Sequence, residues 1–199
     1  MKNTGEFLFK YRSYTPLPLF ILMILFINPH ISFLISGFFV AAIGEAIRLW
    51  SVSYAGSETR TTISTGGTQL VTQGPYSVIR NPLYLGNIFI YSGIGIMSNS
   101  LFPYLQIFAL IYFHIQYHLI ILVEEEYLFK RFKGNYILYK QCVNKFLPNF
   151  KTIPDSIKSN LDFELNEGLY SEVRSLEAYF VAITLILLFY FTGIRIIIY

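Results

Sequence analysis

Three adjacent carboxylates, Glu124, Glu125 and Glu126, follow an uncharged stretch that runs from Leu101 to Val123. The dipole of a helix favours glutamates in its first turn, and this would account for one or two of them. Three carboxylates at the boundary of an apolar stretch need a cationic or hydroxyl-bearing partner. A nucleoside cofactor offers a ribose diol and an amino group, so these residues are candidates for binding one.

A second polar stretch, Leu70 to Gly86, reads LVTQGPYSVIRNPLYLG. Gly74-Pro75 predicts a turn. Asn81-Pro82 predicts a helix start, because asparagine is a favoured N-cap and proline suits the first helical turn. A tight re-entry into a membrane helix, with Arg80 reaching toward lipid phosphates, would explain the stretch structurally. A functional site at the same turn is the alternative.

Together the two stretches resemble the isoprenylcysteine carboxyl methyltransferase and phospholipid methyltransferase superfamily of integral membrane enzymes. Its pattern is G-P-Y-x-x-x-R-H-P-x-Y-x-G, followed by E-E-x-x-L-x-x-x-F-G-x-x-Y-x-x-Y-x-x-x-V and a terminal proline. The resemblance covers roughly Leu70 to Pro148. The matching residues are Gly74, Pro75, Tyr76, Arg80, Pro82, Tyr84 and Gly86 in the first part, and Glu124, Glu125, Leu128, Phe132, Tyr136, Tyr139, Val143 and Pro148 in the second.

The resemblance implies a membrane-embedded methyltransferase that uses S-adenosylmethionine on a lipid or isoprenoid acceptor, by carboxyl O-methylation or phospholipid N-methylation. Arg80 would bind the cofactor carboxylate, and Glu124 or Glu125 its ribose or ammonium group. Methyl transfer is an in-line displacement that neutralises the sulfonium, so alignment and dehydration of the acceptor can do most of the work. The residues expected at the cofactor are Gly74, Tyr76, Arg80, Asn81, Pro82, Tyr84, Gly86, Glu124 and Glu125, with the tyrosines as walls.

Three departures from the superfamily pattern bear on the acceptor. Asn81 replaces a histidine, and an amide can cap a helix or bind a cofactor oxygen but cannot act as a general base. Lys133 and Gly134 stand where the pattern has a contiguous Phe-Gly pair. The chain also continues from Pro148 to its end at Tyr199, whereas the superfamily often stops soon after the proline.

Glu45 is predicted, with Arg80 and Glu125, to be a catalytic residue, because an ionisable residue within a membrane span is a functional candidate by default. A simpler account is that Glu45 and Arg48, three positions apart on one helix, neutralise each other.

Other polar residues give weaker signals. His114 and His118 lie one turn apart, but the chain has only three histidines and a single cysteine, so we expect no metal site. The Gly93-x-Gly95 pair is typical of a close helix contact. Arg60 lies in a polar loop that leads into the first motif, where it would cover the cofactor.

Two other classes of protein remain open. A membrane reductase related to the sterol reductases would bind NADPH; it predicts a longer chain, more spans and a basic pocket for the 2′-phosphate. A non-catalytic membrane scaffold or transporter subunit would leave the paired glutamates and the arginine without a role.

The composition places these motifs in a membrane protein. Apolar residues make up 54% of the chain and charged residues only 14%, against about 25% charged residues in soluble domains. The net charge of +3 is too small and too scattered to indicate a nucleic-acid partner. The expected partner is therefore the lipid bilayer, and the superfamily resemblance implies a lipid-like or isoprenoid substrate.

Helices of about 20 apolar residues are needed to cross a hydrocarbon core of ~30 Å. The steps of three and four after Glu124 predict an amphipathic interfacial helix to Phe146 that bends at Gly134. We therefore predict an all-α, polytopic transmembrane helical bundle of about five spans with a cytoplasmic interfacial helix. The predicted spans are Leu17–Ile27, which is short, Ile31–Tyr54, Leu83–Met97, Leu101–Val123 and Ala178–Tyr199.

The prediction is a single domain over residues 1–199, with a core motif region at 70–148, a cytoplasmic loop at 151–176 and an additional C-terminal transmembrane helix at 177–199. Fourteen of the 15 Lys and Arg residues precede the first span, lie at or beyond the end of the second, or lie between the fourth and the fifth. The positive-inside rule therefore puts the amino terminus, the 55–82 loop and the 124–176 segment on the cytoplasmic side. Every candidate for chemistry would then lie on one side of a multi-pass membrane protein.

Overall fold

The computed structural model describes residues 2–56 and 69–197, and the regular structure within them is helical. The predicted all-α class is thus confirmed. Two short 3₁₀ turns, Gly74–Ser77 and Asp155–Ile157, lie in the connections. The helices are α1 (Lys2–Tyr11), α2 (Leu17–Leu25), α3 (Ile31–Ala55), α4 (Pro82–Ser98), α5 (Tyr104–Cys142) and α6 (Leu165–Thr192).

Three of these helices, α3, α5 and α6, are long and apolar enough to cross a membrane, among the residues that the structure describes. Helix α4 has 17 residues and lies beside them. Helix α2 has only nine residues, which span about 13 Å at 1.5 Å per residue, less than half of a hydrocarbon core. The first apolar segment therefore does not cross as a helix by itself.

Helices α3 and α4 pack backbone to backbone through small residues. A β-carbon on Gly93 would lie 2.5 Å from the carbonyl oxygen of Gly37, and one on Gly86 would lie 2.8 Å from that of Gly44. No side chain fits at these crossings, so the glycines allow the two helices to approach closely. The close-contact interpretation of Gly93 is confirmed.

Helix α5 is two helices joined by a sharp reversal at Lys133, whose backbone has φ +46° and ψ −117°. A straight helix would separate Glu125 and Lys140, which are 15 residues apart, by about 22 Å along its axis. Here the Lys140 Nζ lies 3.0 Å from the Glu125 Oε2, so the second half folds back on the first. The bend predicted at Gly134 is therefore a reversal, and it occurs one residue earlier.

Helix α6 begins at Leu165 and ends at Thr192. The predicted loop over 151–176 and the predicted helix over 177–199 were thus wrong in their bounds, because the polar residues after Leu165 lie on a helix that packs against α3. Gly168 approaches Ser53 so closely that a β-carbon there would overlap the serine hydroxyl. The backbone N–H of Glu164 also donates to the carbonyl oxygen of Ser53, at 2.9 Å.

Two apolar clusters hold these helices together. One joins α2, α3, α4 and α6 through residues such as Met23, Ala41, Ile94 and Ile186. The other packs Phe9 of α1 against Tyr117 and its neighbours on α5. Helices α4 and α6 and the start of the chain are thereby arranged around one large cavity.

Candidate functional site

A cavity of about 1390 Å³ extends from the motif segments into the helix bundle. Its polar end is lined by the loop before α4, by the middle of α5 and by the junction of α1 and α2. Its deeper part is lined mainly by apolar residues of α2, α4 and α6. Lining residues of the polar end are Arg12, Tyr76, Arg80, Asn81, Tyr84 and Glu124, and those of the deeper part include Phe20, Met23, Ile94, Leu105 and Ala182.

Arg80 connects the segment before α4, which carries the first part of the superfamily pattern, with the part of α5 that carries the second. Its Nη2 donates to the Glu125 Oε1 at 2.8 Å, and its Nη1 donates to the carbonyl oxygens of Val143 at 2.6 Å and Lys140 at 3.2 Å. The Glu125 carboxylate accepts a second hydrogen bond from the Lys140 Nζ. These contacts are possible only because the reversal in α5 returns residues 140–143 to the level of Glu125.

The backbones of the two motifs are also joined directly. The Tyr139 hydroxyl donates to the carbonyl oxygen of Tyr76 at 2.7 Å, and the Arg80 N–H donates to that of Asn144 at 2.8 Å. Asn81 occupies the N-cap position of α4, as predicted, but makes no side-chain capping bond. Its amide instead donates to the carbonyl oxygen of Lys145 at 3.2 Å.

Tyr84 and Glu124 present polar atoms to the cavity. The Tyr84 hydroxyl donates to the Glu124 Oε1 at 2.7 Å, and the Tyr84 ring stacks on Tyr117 with 4.7 Å between ring centroids. The ring packing fixes the tyrosine, and the tyrosine in turn orients the carboxylate. This arrangement places an aromatic wall beside an acidic hydrogen-bond acceptor.

The surroundings of the motif loops also affect ionisation. Burial raises the pKa of the Tyr76 hydroxyl, and the negative charge of Glu124 acts in the same direction. Partial burial lowers the pKa of Lys145, although the charge of Glu125 opposes this effect. Tyr76 therefore lines the cavity as a neutral phenol.

A second polar cluster crosses the cavity between α3, α4 and α6. The Arg48 Nη2 lies 2.7 Å from the Glu172 Oε2, and the Glu172 side chain is only 1% exposed. Arg48 also donates to the amide oxygen of Asn87 and to the Ser175 hydroxyl, the latter at 3.2 Å. Arg48 thus has an ion-pair partner on α6, and the charge of Glu45, one turn away on its own helix, also acts on it.

The structure brings most of the predicted site residues to the cavity. Gly74, Gly86 and Glu125 lie outside its lining. Gly74 has φ +56° and leaves no room for a β-carbon against the Tyr54 ring, and Glu125 borders a separate depression with Tyr136 and Lys140. Arg60 lies outside the described residues. Those that line the cavity are Glu45, Tyr76, Arg80, Asn81, Pro82, Tyr84 and Glu124.

The contribution of α6 to the cavity was not predicted. Its lining residues Glu172, Ser175, Tyr179 and Ala182 recur every three or four positions, which is the spacing of one helical face. That periodicity was present in the sequence, but it begins within a polar segment and ends within an apolar one. The continuous face is therefore not evident from either part alone.

The fold and the site define a helical, integral membrane protein in which two distant polar motifs close one end of a bundle cavity. The chain belongs to the phospholipid methyltransferase family, which matches residues 32–135, more than half of its length. No curated protein and no solved structure shows significant similarity to the chain. The predicted superfamily is therefore confirmed, and with it a place among membrane methyltransferases.

Proposed function

We propose that this protein is an S-adenosylmethionine-dependent methyltransferase that acts on a lipid or isoprenoid-type acceptor. The observation that carries the proposal is the convergence of Tyr76, Arg80, Asn81, Tyr84 and Glu124 on one cavity. These residues come from two segments about 40 positions apart, and both segments belong to the superfamily pattern. A role only in anchoring would not require these polar residues to line one cavity.

The residues present fit such a cofactor. S-adenosylmethionine carries a ribose diol, an ammonium group and a sulfonium, which require hydrogen-bond acceptors and apolar or aromatic walls. Glu124 offers a carboxylate held by Tyr84. The Arg80 Nε is buried without a hydrogen-bond partner within the described chain, so one donor is left to meet a ligand. The cavity volume of about 1390 Å³ exceeds what one drug-sized ligand occupies, which leaves space for an acceptor.

The contacts of the predicted residues support a different role for each of them. Glu124 rather than Glu125 is proposed to bind the ribose or ammonium group, because Glu125 is engaged by Arg80 and Lys140. Arg80 is proposed to position the two motifs through its Nη atoms and to offer its Nε to the cofactor. Glu45 is proposed to act on the acceptor from the deeper part of the cavity.

When bound, S-adenosylmethionine would supply an electrophilic methyl group on a positively charged sulfur. The residues of this chain would align the acceptor with that group and exclude water, which is where most of the rate enhancement of a displacement can arise. The apolar lining of α2, α4 and α6 removes water from the acceptor side. The Tyr84 and Tyr117 rings form the wall at the motif end.

Titration of S-adenosylmethionine into protein in lipid nanodiscs tests the cofactor. We expect saturable binding in calorimetry, and transfer of labelled methyl into membrane lipids or prenyl-thiol analogues. Binding of NADPH without binding of S-adenosylmethionine would contradict the proposal and favour a reductase.

We also propose that the motif end of the bundle faces the cytoplasm, on the basis of the positive-inside rule. Asn135 is exposed on the folded-back part of α5, and Cys142 is the single cysteine. In a Cys142→Ser, Asn135→Cys variant, a membrane-impermeant maleimide should not label the thiol at position 135 in intact cells. It should label this thiol once the cells are permeabilised and the reagent can reach the cytoplasm. Labelling of intact cells would show the opposite orientation.

A further inference from the structure

Helix α6 brings a buried tyrosine to the wall of the cavity, well away from the motif residues. Tyr179 is 7% exposed and lines the cavity, and its hydroxyl has no hydrogen-bond partner within the described residues. A buried hydroxyl without a partner is unfavourable relative to one that is hydrogen-bonded. Such a group is expected to be satisfied when a ligand is bound.

Glu45 of α3 lies close enough to Tyr179 for its charge to act on the phenol. The Glu45 side chain lines the same cavity and is buried, with 8% exposure. It is one helical turn deeper than Arg48, whose guanidinium is occupied by Glu172, Asn87 and Ser175. The Arg48–Glu172 pair therefore separates the motif end of the cavity from the Glu45 and Tyr179 layer.

Beyond this layer the lining is mainly apolar. Ile90 and Ile94 of α4, Met23 of α2, and Ala178 and Ala182 of α6 surround the continuation of the cavity. The two alanines lie one position before and three positions after Tyr179 on α6, and both have small side chains. An alkyl or isoprenyl chain fits this slot through apolar burial.

We propose that Tyr179 and Glu45 form a second subsite, which binds the polar head of an alkyl-chain acceptor while its chain occupies the slot lined by α2, α4 and α6. The polar head must have an N–H or O–H group that donates a hydrogen bond to the Glu45 carboxylate. It must also have a lone pair that accepts a hydrogen bond from the Tyr179 hydroxyl. Alcohols meet both conditions, and so do amines in their neutral form. A carboxylate is disfavoured, because it has no N–H or O–H to donate to Glu45. This inference rests on the proposed methyltransferase function, and α6 lies outside the residues that match the family.

Photo-crosslinking in lipid nanodiscs tests the subsite with two probes, a diazirine-bearing dodecylamine and the corresponding dodecanoate. We expect the amine probe to label the 178–182 region of α6 saturably, with competition by unlabelled dodecylamine or dodecanol. Tyr179→Phe should raise the half-saturating concentration about three- to tenfold, the effect of one neutral hydrogen bond. Tyr170→Phe is the matched control, because Tyr170 lies on the same helix and is 81% exposed.

The same preparations are titrated with S-adenosylmethionine. Tyr179→Phe should leave its affinity unchanged, since the hydroxyl lies on the far side of the Arg48–Glu172 pair. Equal labelling by the carboxylate probe, an unchanged half-saturation in Tyr179→Phe, or a parallel loss of cofactor affinity would each overturn the subsite. Absence of cofactor binding in the wild-type protein would instead overturn the proposed function, whatever the probes show.

Discussion

Arg80 and Glu125 form an ion pair with 2.8 Å between Nη2 and Oε1, and both side chains are at least nine-tenths buried. The pair joins the loop before α4 to the point where α5 leaves the apolar part of the bundle. Because Lys140 and the carbonyl oxygen of Val143 complete the same cluster, one arginine holds three parts of the chain together. Two residues that the superfamily pattern marks as site residues are therefore each other's partners.

Removing one partner of this pair should destabilise the protein strongly. Glu125→Ala leaves the Arg80 guanidinium buried beside Lys140 without its counter-charge, which costs about 3–5 kcal/mol. Thermal unfolding in detergent measures the loss. Glu126→Ala is the control, because Glu126 pairs with Lys130 at the exposed surface four residues away, where such pairs contribute at most about 0.5 kcal/mol. Equal effects of the two variants would show that the buried pair has no special structural role.

Glu124 should behave differently from its neighbour, since it faces the cavity. Glu124→Gln keeps the shape of the side chain and an oxygen that can accept from Tyr84, but it removes the charge. We expect little change in unfolding temperature and a roughly tenfold or greater loss of S-adenosylmethionine affinity, the effect of losing a charge-assisted hydrogen bond. Calorimetric titration of Glu124→Gln beside Glu126→Gln checks this. Cofactor affinity equal to that of the wild type would remove Glu124 from the proposed site.

The bounds of the helices were more predictable from the sequence than the side-chain contacts between them. Apolar length placed α3 and α4 to within a residue or two, and the Asn81-Pro82 pair marked the start of α4. The partners of Arg80 and Arg48 were not predictable, because both depend on where distant segments return. Arg80 meets Val143 only because α5 reverses at Lys133, and Arg48 meets Glu172 only because α6 begins early enough to pack on α3.

The reversal itself leads to a prediction about stability. Lys133 has φ +46° and ψ −117°, a conformation that glycine adopts readily and that costs a residue with a β-carbon about 1–3 kcal/mol. Lys133 also occupies the position after Phe132 where the superfamily pattern has glycine. Lys133→Gly should therefore raise the free energy of unfolding by about 1 kcal/mol, whereas Lys133→Ala should not. Chemical denaturation of both variants distinguishes relief of backbone strain from loss of a surface charge.

Two glycines in α4 provide a matched pair for testing the contact with α3. A β-carbon on Gly93 would lie 2.5 Å from the backbone nitrogen of Ala41, whereas one on Gly95 would meet only the Gln106 side chain, at an ordinary 3.6 Å. Gly93→Ala should destabilise the protein by about 1–3 kcal/mol, the cost of overpacking. Gly95→Ala should be neutral or stabilising by up to about 1 kcal/mol, because alanine favours helix. A similar loss in both variants would mean that helix propensity, not the crossing, decides the outcome.

Helix α6 should prove to be part of the folded core, because its Glu172 is the buried counter-charge of Arg48. Glu172→Ala leaves the guanidinium inside the bundle without its ion-pair partner and bonded to the neutral Asn87 and Ser175 side chains, which should cost about 3–5 kcal/mol. Glu177→Ala is the control, since Glu177 is exposed on the same helix.

The double variant Arg48→Met, Glu172→Leu removes both charges. It should regain most of the stability that Glu172→Ala loses, because apolar replacements of a buried ion pair are often neutral. Thermal unfolding of the four proteins, including the wild type, completes the comparison. If Glu172→Ala were as stable as Glu177→Ala, α6 would be a peripheral addition to the family fold, and its wall of the cavity would lose its structural basis.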